Sequence, residues 1–265
     1  MKAFIFCGYH NTGKTTFIKN LASELAKLGY SVAYLKHVTD PSTWKTKENL
    51  HDTETMLETG IKTSIALTEE VTVTYTKNHL ATQRGNASSG ERKTIRNTLK
   101  QLNADYVLIE GFKHYDGPIP KIIFGKSEEE ILKLYQEIGN YGIYIGYTGM
   151  GIEEINREEL KGLKHLSYTR NNVSFFTSLS AEYPSDIDCG ECGVSSCREF
   201  ITEVLNGKKS MSECKPLHGD IKLYINNNPV YLKSFVGNTL KDIIMAYIKN
   251  LHDVPPEGSI KILIK

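Results

Sequence analysis

The chain of 265 residues is short of several things, and each shortage excludes something. It has no excess of either charge: 32 Lys and Arg face 31 Asp and Glu, a formal net charge of +1. That balance argues against nucleic acid or an anionic membrane surface as a general partner. Long hydrophobic runs are missing. The apolar stretches, such as AFIFC (3–7), have strand length and fall far below the ~20 residues of a membrane helix. The glycine loop begins at residue 8, which leaves no room for a signal peptide before it, so a cytoplasmic location is expected. Cysteine is sparse and uneven: of five residues, four lie between 189 and 214. In a cytoplasmic chain such a cluster points to thiols or metal ligands rather than disulfides.

Residues Gly8 to Thr15, GYHNTGKT, match the phosphate-binding pattern G-x-x-x-x-G-K-S/T at every fixed position. The apolar run before it reads as a strand, and TFIKNLASELAKL (16–28) reads as an amphipathic helix. In that setting Gly8 and Gly13 let backbone N–H groups turn toward phosphates. Lys14 reaches the terminal phosphates, and the Thr15 hydroxyl ligates Mg²⁺. The helix N-terminus adds a favourable dipole. The candidate nucleotide-binding residues are therefore Gly8, Tyr9, His10, Asn11, Thr12, Gly13, Lys14, Thr15 and Thr16. The motif does not choose the nucleoside.

Strands and helices alternate as far as Tyr147: VAYLK, a helix over 49–59, SIALT, VTVTYT, a helix over 91–102, DYVLI, KIIF, a helix after Ser127 and YGIYIGY. Alternation of this kind predicts an α/β fold with a mostly parallel sheet, here of the P-loop NTPase type. Ser127 and Glu130 form a capping-box pattern. NHLATQRGNASSG (78–90) is rich in turn formers and reads as a loop. Three domains are expected: a nucleotide-binding domain over 1–180, a cysteine segment over 181–217, and a small ββαβ unit over 218–265. In the last, DIKLYINNNPVYL supplies two strands, 238–252 an amphipathic helix and SIKILIK a final strand.

Cys189, Cys192, Cys197 and Cys214 read C-x2-C-x4-C-x16-C. A zinc tetrathiolate usually carries two similar C-x2-C pairs, so this asymmetric spacing favours an iron–sulfur cluster over zinc or unligated thiols. Gly190 and Gly193 are expected to free backbone N–H groups for sulfur. The segment DCGECGVSSCREF (188–200) also resembles the [4Fe-4S] domain of corrinoid and carbon monoxide dehydrogenase subunits, with all four ligand positions matched. That resemblance implies four irons and an anaerobic source. Cys7, in the first strand, reads as a buried core residue.

Three further segments carry a second resemblance: YLKH (34–37), Asp52-Thr53 with Gly60 downstream, and DYVLIEGFKHYDGPIPKI (105–122). With the phosphate loop they resemble MobB, the molybdopterin-guanine dinucleotide biosynthesis adaptor family, over roughly residues 1–150. The IEGFK and PK pieces are the most specific part. Glu110 ends a buried strand at the edge where α/β sheets bind ligands, so it is a candidate for Mg²⁺; Asp52 is a candidate second carboxylate. Neither is assigned as catalytic outright. Lys36, His37 and Lys113 are possible donors to phosphates or a pterin phosphate. The chain departs from the family where Val38, Thr39 and Asp40 follow the K-H pair and where Thr55 replaces an Arg.

The resemblance implies a GTP-binding accessory protein in molybdenum or tungsten pterin cofactor assembly, at most a slow GTPase. A separate molybdopterin guanylyltransferase would transfer the nucleotide. It implies a homodimer, with molybdopterin-synthesis proteins or oxo-metal enzymes as further partners. Guanine rests on the resemblance alone, because no N-K-x-D motif is present. Two other readings stay open: a P-loop kinase or ATPase for a small metabolite, and a nucleotide-switched iron–sulfur carrier or electron-transfer module.

Overall fold

The computed structural model describes residues 1–38, 55–67, 71–76, 79–84, 90–225 and 228–251. Its centre is the strand β1 (Lys2–Gly8), whose interior is apolar on both faces. Such a strand can only be satisfied inside a sheet covered on both sides. Strand β6 (Tyr106–Glu110) pairs with it in parallel on one edge and β7 (Pro120–Phe124) on the other. The sheet continues through β2 (Val32–His37), β3 (Thr63–Leu67), β4 (Val71–Thr76) and β5 (His79–Arg84) on one side. On the other it continues through β8 (Ile143–Thr148) and β9 (Lys164–His165). The nine strands run β5-β4-β3-β2-β6-β1-β7-β8-β9, parallel except for β3–β4 and β4–β5.

β5 corrects the reading of 78–90 as a loop. His79–Arg84 pairs antiparallel with all of β4, from Val71↔Arg84 to Thr76↔His79. Turn formers crowd the flanks of this piece rather than its middle, and β4 offers it an otherwise open edge.

Side chains alternate strictly across the central strands. Ala3, Ile5, Ala33, Leu35, Val107 and Ile109 face one core, with Ile95 and Leu99 of helix α2 (Gly90–Gln101) and Ile131, Leu134 and Ile138 of α3 (Glu128–Ile138). Phe4, Phe6, Val32, Tyr34 and Leu108 face the other, with Phe17, Ile18, Leu21 and Leu25 of α1 (Lys14–Lys27). Val173 and Phe176 of α4 (Val173–Ser178) join this second core, where Phe176 meets Phe4 edge-on at 5.0 Å. Ser127 caps α3 by accepting from the Glu130 N–H at 3.2 Å. The Glu130 carboxylate returns to the N–H of Lys126, one residue before the position the capping box would use.

The cysteine segment carries α5 (Cys197–Leu205), a single 3₁₀ turn (Met211–Glu213) and α6 (Lys215–His218). Its own core is small: Ile143, Ala181, Phe200, Ile201, Val204 and Cys214. Beyond it, β10 (Leu223–Ile225) and β11 (Asn228–Val230) form a separate antiparallel pair, followed by α7 (Ser234–Ile248). The expected final strand, SIKILIK, lies outside the described residues. No described helix is long and apolar enough to cross a membrane.

Candidate functional site

The carboxyl end of β1 runs straight into the phosphate loop, and α1 starts at Lys14. The turn needs left-handed backbone at Asn11 (φ 57°) and Gly13 (φ 83°). At Gly13 a side chain is excluded twice over. The φ disfavours it, and a Cβ would lie 2.3 Å from the Tyr168 hydroxyl. That hydroxyl donates to the Gly13 carbonyl at 3.1 Å. Gly8 is equally confined, since a Cβ there would sit 2.6 Å from the Phe124 carbonyl oxygen.

Within the loop the Lys14 ammonium folds back on the Tyr9 carbonyl at 2.7 Å, the Gly8 carbonyl at 3.3 Å and the Thr12 hydroxyl at 3.2 Å. Burial pushes its pKa down while Glu110 pulls it up. Thr15 Oγ1 donates to both Glu110 oxygens, at 3.1 and 3.0 Å. The Tyr34 hydroxyl, fully buried on β2, donates to Glu110 Oε2 at 2.6 Å. Thr15 and Glu110, each a candidate for Mg²⁺ from the sequence, lie in hydrogen-bonding contact, and Tyr34 is a third member that the motifs do not announce. The two neutral hydroxyls satisfy the buried carboxylate, and the Lys14 ammonium interacts with it across the loop. Together with the Thr15 hydroxyl the carboxylate is an oxygen set suited to Mg²⁺.

The IEGFK piece owes its residues to geometry. After Glu110 the chain reverses through two left-handed residues, Gly111 (φ 100°) and Phe112 (φ 48°). A Cβ at Gly111 would approach the His37 Cβ to 2.7 Å. The reversal lays Phe112 on the His37 ring, 4.0 Å between centroids and 13° between planes. Burial lowers the His37 pKa to about 4, so the ring is neutral at neutral pH and brings no positive charge to a phosphate. Lys113 lies over the Tyr9 ring at 5.6 Å, and the Tyr9 hydroxyl donates to Glu137 at 2.6 Å. Lys121, fully buried on β7, donates to the Lys113 carbonyl at 2.8 Å and to that of Tyr141, which ties down the far end of the same loop. Its position in KIIF suggests a solvent-facing lysine; with both sheet faces covered there is none. Asp52 lies outside the described residues.

The four cysteines converge on one small pocket, with Ser185, Ser196 and Phe200 around them. Cys189 and Cys192 flank a turn closed by Gly193 N–H to the Gly190 carbonyl at 3.0 Å. Gly193 therefore spends its N–H on the turn. Backbone N–H groups of Glu191, toward Cys189, and of Ile187 and Asp188, toward Cys197, favour the thiolates. Burial outweighs them: it raises the Cys189 thiol and pushes Cys197 up to about 12. Among the described residues, the ligand-type atoms mutually within 4.8 Å are those of Asp186, Asp188 and Cys197, so no three of the four thiols are that close. Arg92 already bridges the two aspartates. Its guanidinium lies 2.6 Å from Asp186 and 2.7 Å from Asp188, and Asp188 accepts the Cys197 N–H at 2.7 Å. Cys7 is fully buried in β1, far along the chain and in a different core.

Two family models match separate stretches of the chain. Residues 186–216 match a family model described as "Putative Fe-S cluster". No curated protein matches the chain. Among solved structures, Bacillus subtilis MobB is 21% identical, covering 64% of this chain and 91% of its own, with a TM-score of 0.42. A MobB protein homolog from Bacillus stearothermophilus is 17% identical, covering 67% and 94%, with a TM-score of 0.41. Residues 3–140, just over half of the chain, match the model for molybdopterin guanine dinucleotide synthesis protein B. The chain belongs to the MobB family, and its role lies in molybdopterin guanine dinucleotide biosynthesis.

Proposed function

We propose that the protein is a GTP-binding accessory protein for molybdopterin guanine dinucleotide assembly, with Mg²⁺ at the nucleotide and a [4Fe-4S] cluster on its cysteine segment. The observation that carries the nucleotide half is the Thr15–Glu110–Tyr34 cluster beside a complete phosphate loop. Phosphates would take Lys14 from the carbonyls of Gly8 and Tyr9, exchanging neutral acceptors for charged ones. Backbone N–H groups at the start of α1 would bind the same oxygens. Thr15 and Glu110 would hold Mg²⁺, which supplies charge neutralisation to the phosphates. The reading is of a slow GTPase at most; among the described residues no arginine or general base is placed for attack on the terminal phosphate. The partner in this reading is a molybdopterin guanylyltransferase, met by a homodimer in the cytoplasm.

The asymmetric C-x2-C-x4-C-x16-C spacing supports a cluster over zinc, which usually takes two similar C-x2-C pairs, and the four cysteines line one small pocket. The four cysteines would ligate iron, and the cluster would supply one-electron chemistry or a rigid docking surface.

Calorimetric titration tests the nucleotide half. Lys14→Ala should weaken Mg²⁺–GTP at least tenfold, about 1.4 kcal/mol. Glu110→Gln should retain the fold and lose the Mg²⁺ dependence of affinity. Equal GTP affinity in wild type and Lys14→Ala refutes the reading. Tighter ATP than GTP in competition shifts it to a kinase or ATPase.

A further inference from the structure

The phosphate loop fixes one end of a nucleotide and leaves the direction of the nucleoside open. Toward β6 and β2 the surroundings are filled. Tyr34 reaches Glu110, and Phe112 is stacked on His37 against Gly111. Toward the carboxyl ends of β8 and β9 they are not. There a groove of about 410 Å³ opens between α1 and the segment following β9. Open α/β sheets bind ligands along this edge.

The groove begins at the loop itself. Tyr168 touches it through the hydrogen bond to the Gly13 carbonyl, and its ring centroid lies 6.3 Å from that of Phe17 in the first turn of α1. The segment carrying Tyr168 is held in place by its asparagines. Asn172 donates to the carbonyls of Ser167 and Arg170, at 2.7 and 2.9 Å. Asn171 donates to Glu24 at 3.2 Å and accepts the Val173 N–H at 2.8 Å. These contacts tie both side chains to the scaffold. Arg170 differs: it is exposed, it lines the groove, and its guanidinium has no hydrogen bond or ion pair among the described residues.

We infer that the nucleobase stacks beside Tyr168 and is read by Arg170, at the end of this groove nearest the phosphate loop. The inference rests on the nucleotide reading above and supplies the base specificity that reading lacks. Every nucleobase has a face for an aromatic ring. The guanidinium fork discriminates, because guanine presents two acceptors, O6 and N7, whereas adenine presents N7 beside an amino donor. An N-K-x-D motif is then unnecessary for a guanine preference. Residues 168 and 170 lie beyond the stretch matched by the family model, which ends at 140.

The test compares Mg²⁺ complexes of GTP, ATP and inorganic tripolyphosphate by calorimetry on the full chain. Arg170→Gln should weaken GTP at least fivefold, leave tripolyphosphate unchanged and bring GTP and ATP closer together. Tyr168→Leu should weaken GTP and ATP about tenfold relative to tripolyphosphate. The ratio removes any disturbance of Gly13, and Tyr168→Phe, which keeps the ring, should keep it. If wild type binds GTP and tripolyphosphate and neither variant alters the ratio, the subsite is elsewhere and the inference is overturned. If wild type binds neither, the phosphate-loop reading has failed and the inference falls with it. Should Tyr168→Leu not fold, the exposed Arg170→Gln decides.

Discussion

The nucleotide site and the cysteine segment hold their functional groups by different physical means. At the nucleotide site each group belongs to a regular element. Gly8 and Glu110 close parallel strands, Thr15 lies in the first turn of α1, and Tyr34 projects from the middle of β2. Two cores, one on each face of the sheet, fix those elements before any ligand arrives. In the cysteine segment the ligands sit on turns and short helices, and two of them, Cys197 and Cys214, are themselves buried core residues. A thiol pushed up to about 12 by burial does not ionise near neutrality unless a metal takes its proton's place. The first site is a scaffold that accepts a ligand. In the proposed reading the second is a fold that a bound cluster would complete, in the way metal binding couples to folding in small metallo-domains.

The largest effect should come from breaking that completion. Cys189→Ser, Cys192→Ser, Cys197→Ser or Cys214→Ser should each remove most of the iron and sulfide bound after anaerobic purification. Each should also raise hydrogen exchange across 186–216 while leaving β1 and α1 protected. Cys7→Ser should retain the cluster, because Cys7 is fully buried in the other core. Reduced protein should give a paramagnetic signal at low temperature. One zinc per chain and no iron uptake would remove the cluster from the account.

Next in size is the joint between the regions. Arg92, on α2, bridges Asp186, which is fully buried, and Asp188, which accepts the Cys197 N–H. Tyr183 adds a hydroxyl to Asp186 at 2.8 Å, and Arg96 holds the Asp186 carbonyl at 2.9 Å. Arg92→Met leaves Asp186 without its main cation, and breaking a buried pair from one side costs roughly 3 kcal/mol. Thermal unfolding should then split into two transitions, with the cysteine segment melting first. A single transition with an unchanged midpoint would show that the bridge couples nothing.

A third effect belongs to the nucleotide side and depends on pH. His37 has its pKa lowered to about 4 by burial, against about 6.5 in an unfolded chain. Because the folded value is the lower, protonation favours the unfolded state. The neutral ring's contribution is complete above pH 6.5 and is lost as pH falls toward 4, by about 3 kcal/mol. Urea titrations between pH 7 and 4.5 should show that loss in wild type and a smaller one in His37→Gln. Equal slopes would mean that His37 is solvated in solution.

Much of this was legible in the residues, for reasons that separate along the same line. A phosphate loop is local: eight consecutive residues with a strand before and a helix after. Glu110 could be placed at a sheet edge because YVLI (106–109) carries no charge and stops at a carboxylate. The cysteine spacing is local too. What stayed hidden is what the topology brings together from far along the chain. Tyr168 meets Gly13 across 155 positions, Arg92 meets Asp186 across 94, and Tyr34 meets Glu110 across 76. No pattern in a window of ten residues encodes such pairs. β5 was hidden for another reason: its flanking asparagine, glycine and serine outweigh a strand that only its pairing with β4 supports. On α7 the expected apolar face is present, but Ile243 and Tyr247 remain exposed among the described residues.

The smallest effect is the sharpest comparison, because the same device occurs once in each region. Ser127 caps α3 and Ser196 caps α5, each accepting the N–H three residues on, at 3.2 and 3.1 Å. Removing an N-cap hydroxyl typically costs about 1 kcal/mol. Ile131, Leu134 and Ile138 of α3 lie in the main core, so Ser127→Ala should lower the principal unfolding transition by that amount. α5 begins at a cysteine ligand and packs into the small core of its own segment. Ser196→Ala should therefore leave the principal transition in place. Its cost should appear as faster iron loss to a chelator, about fivefold if the local opening equilibrium takes the full 1 kcal/mol. If both alanines shift the principal transition equally, the two regions unfold as one. The contrast between a scaffold and a ligand-completed segment would then be one of appearance, not of energetics.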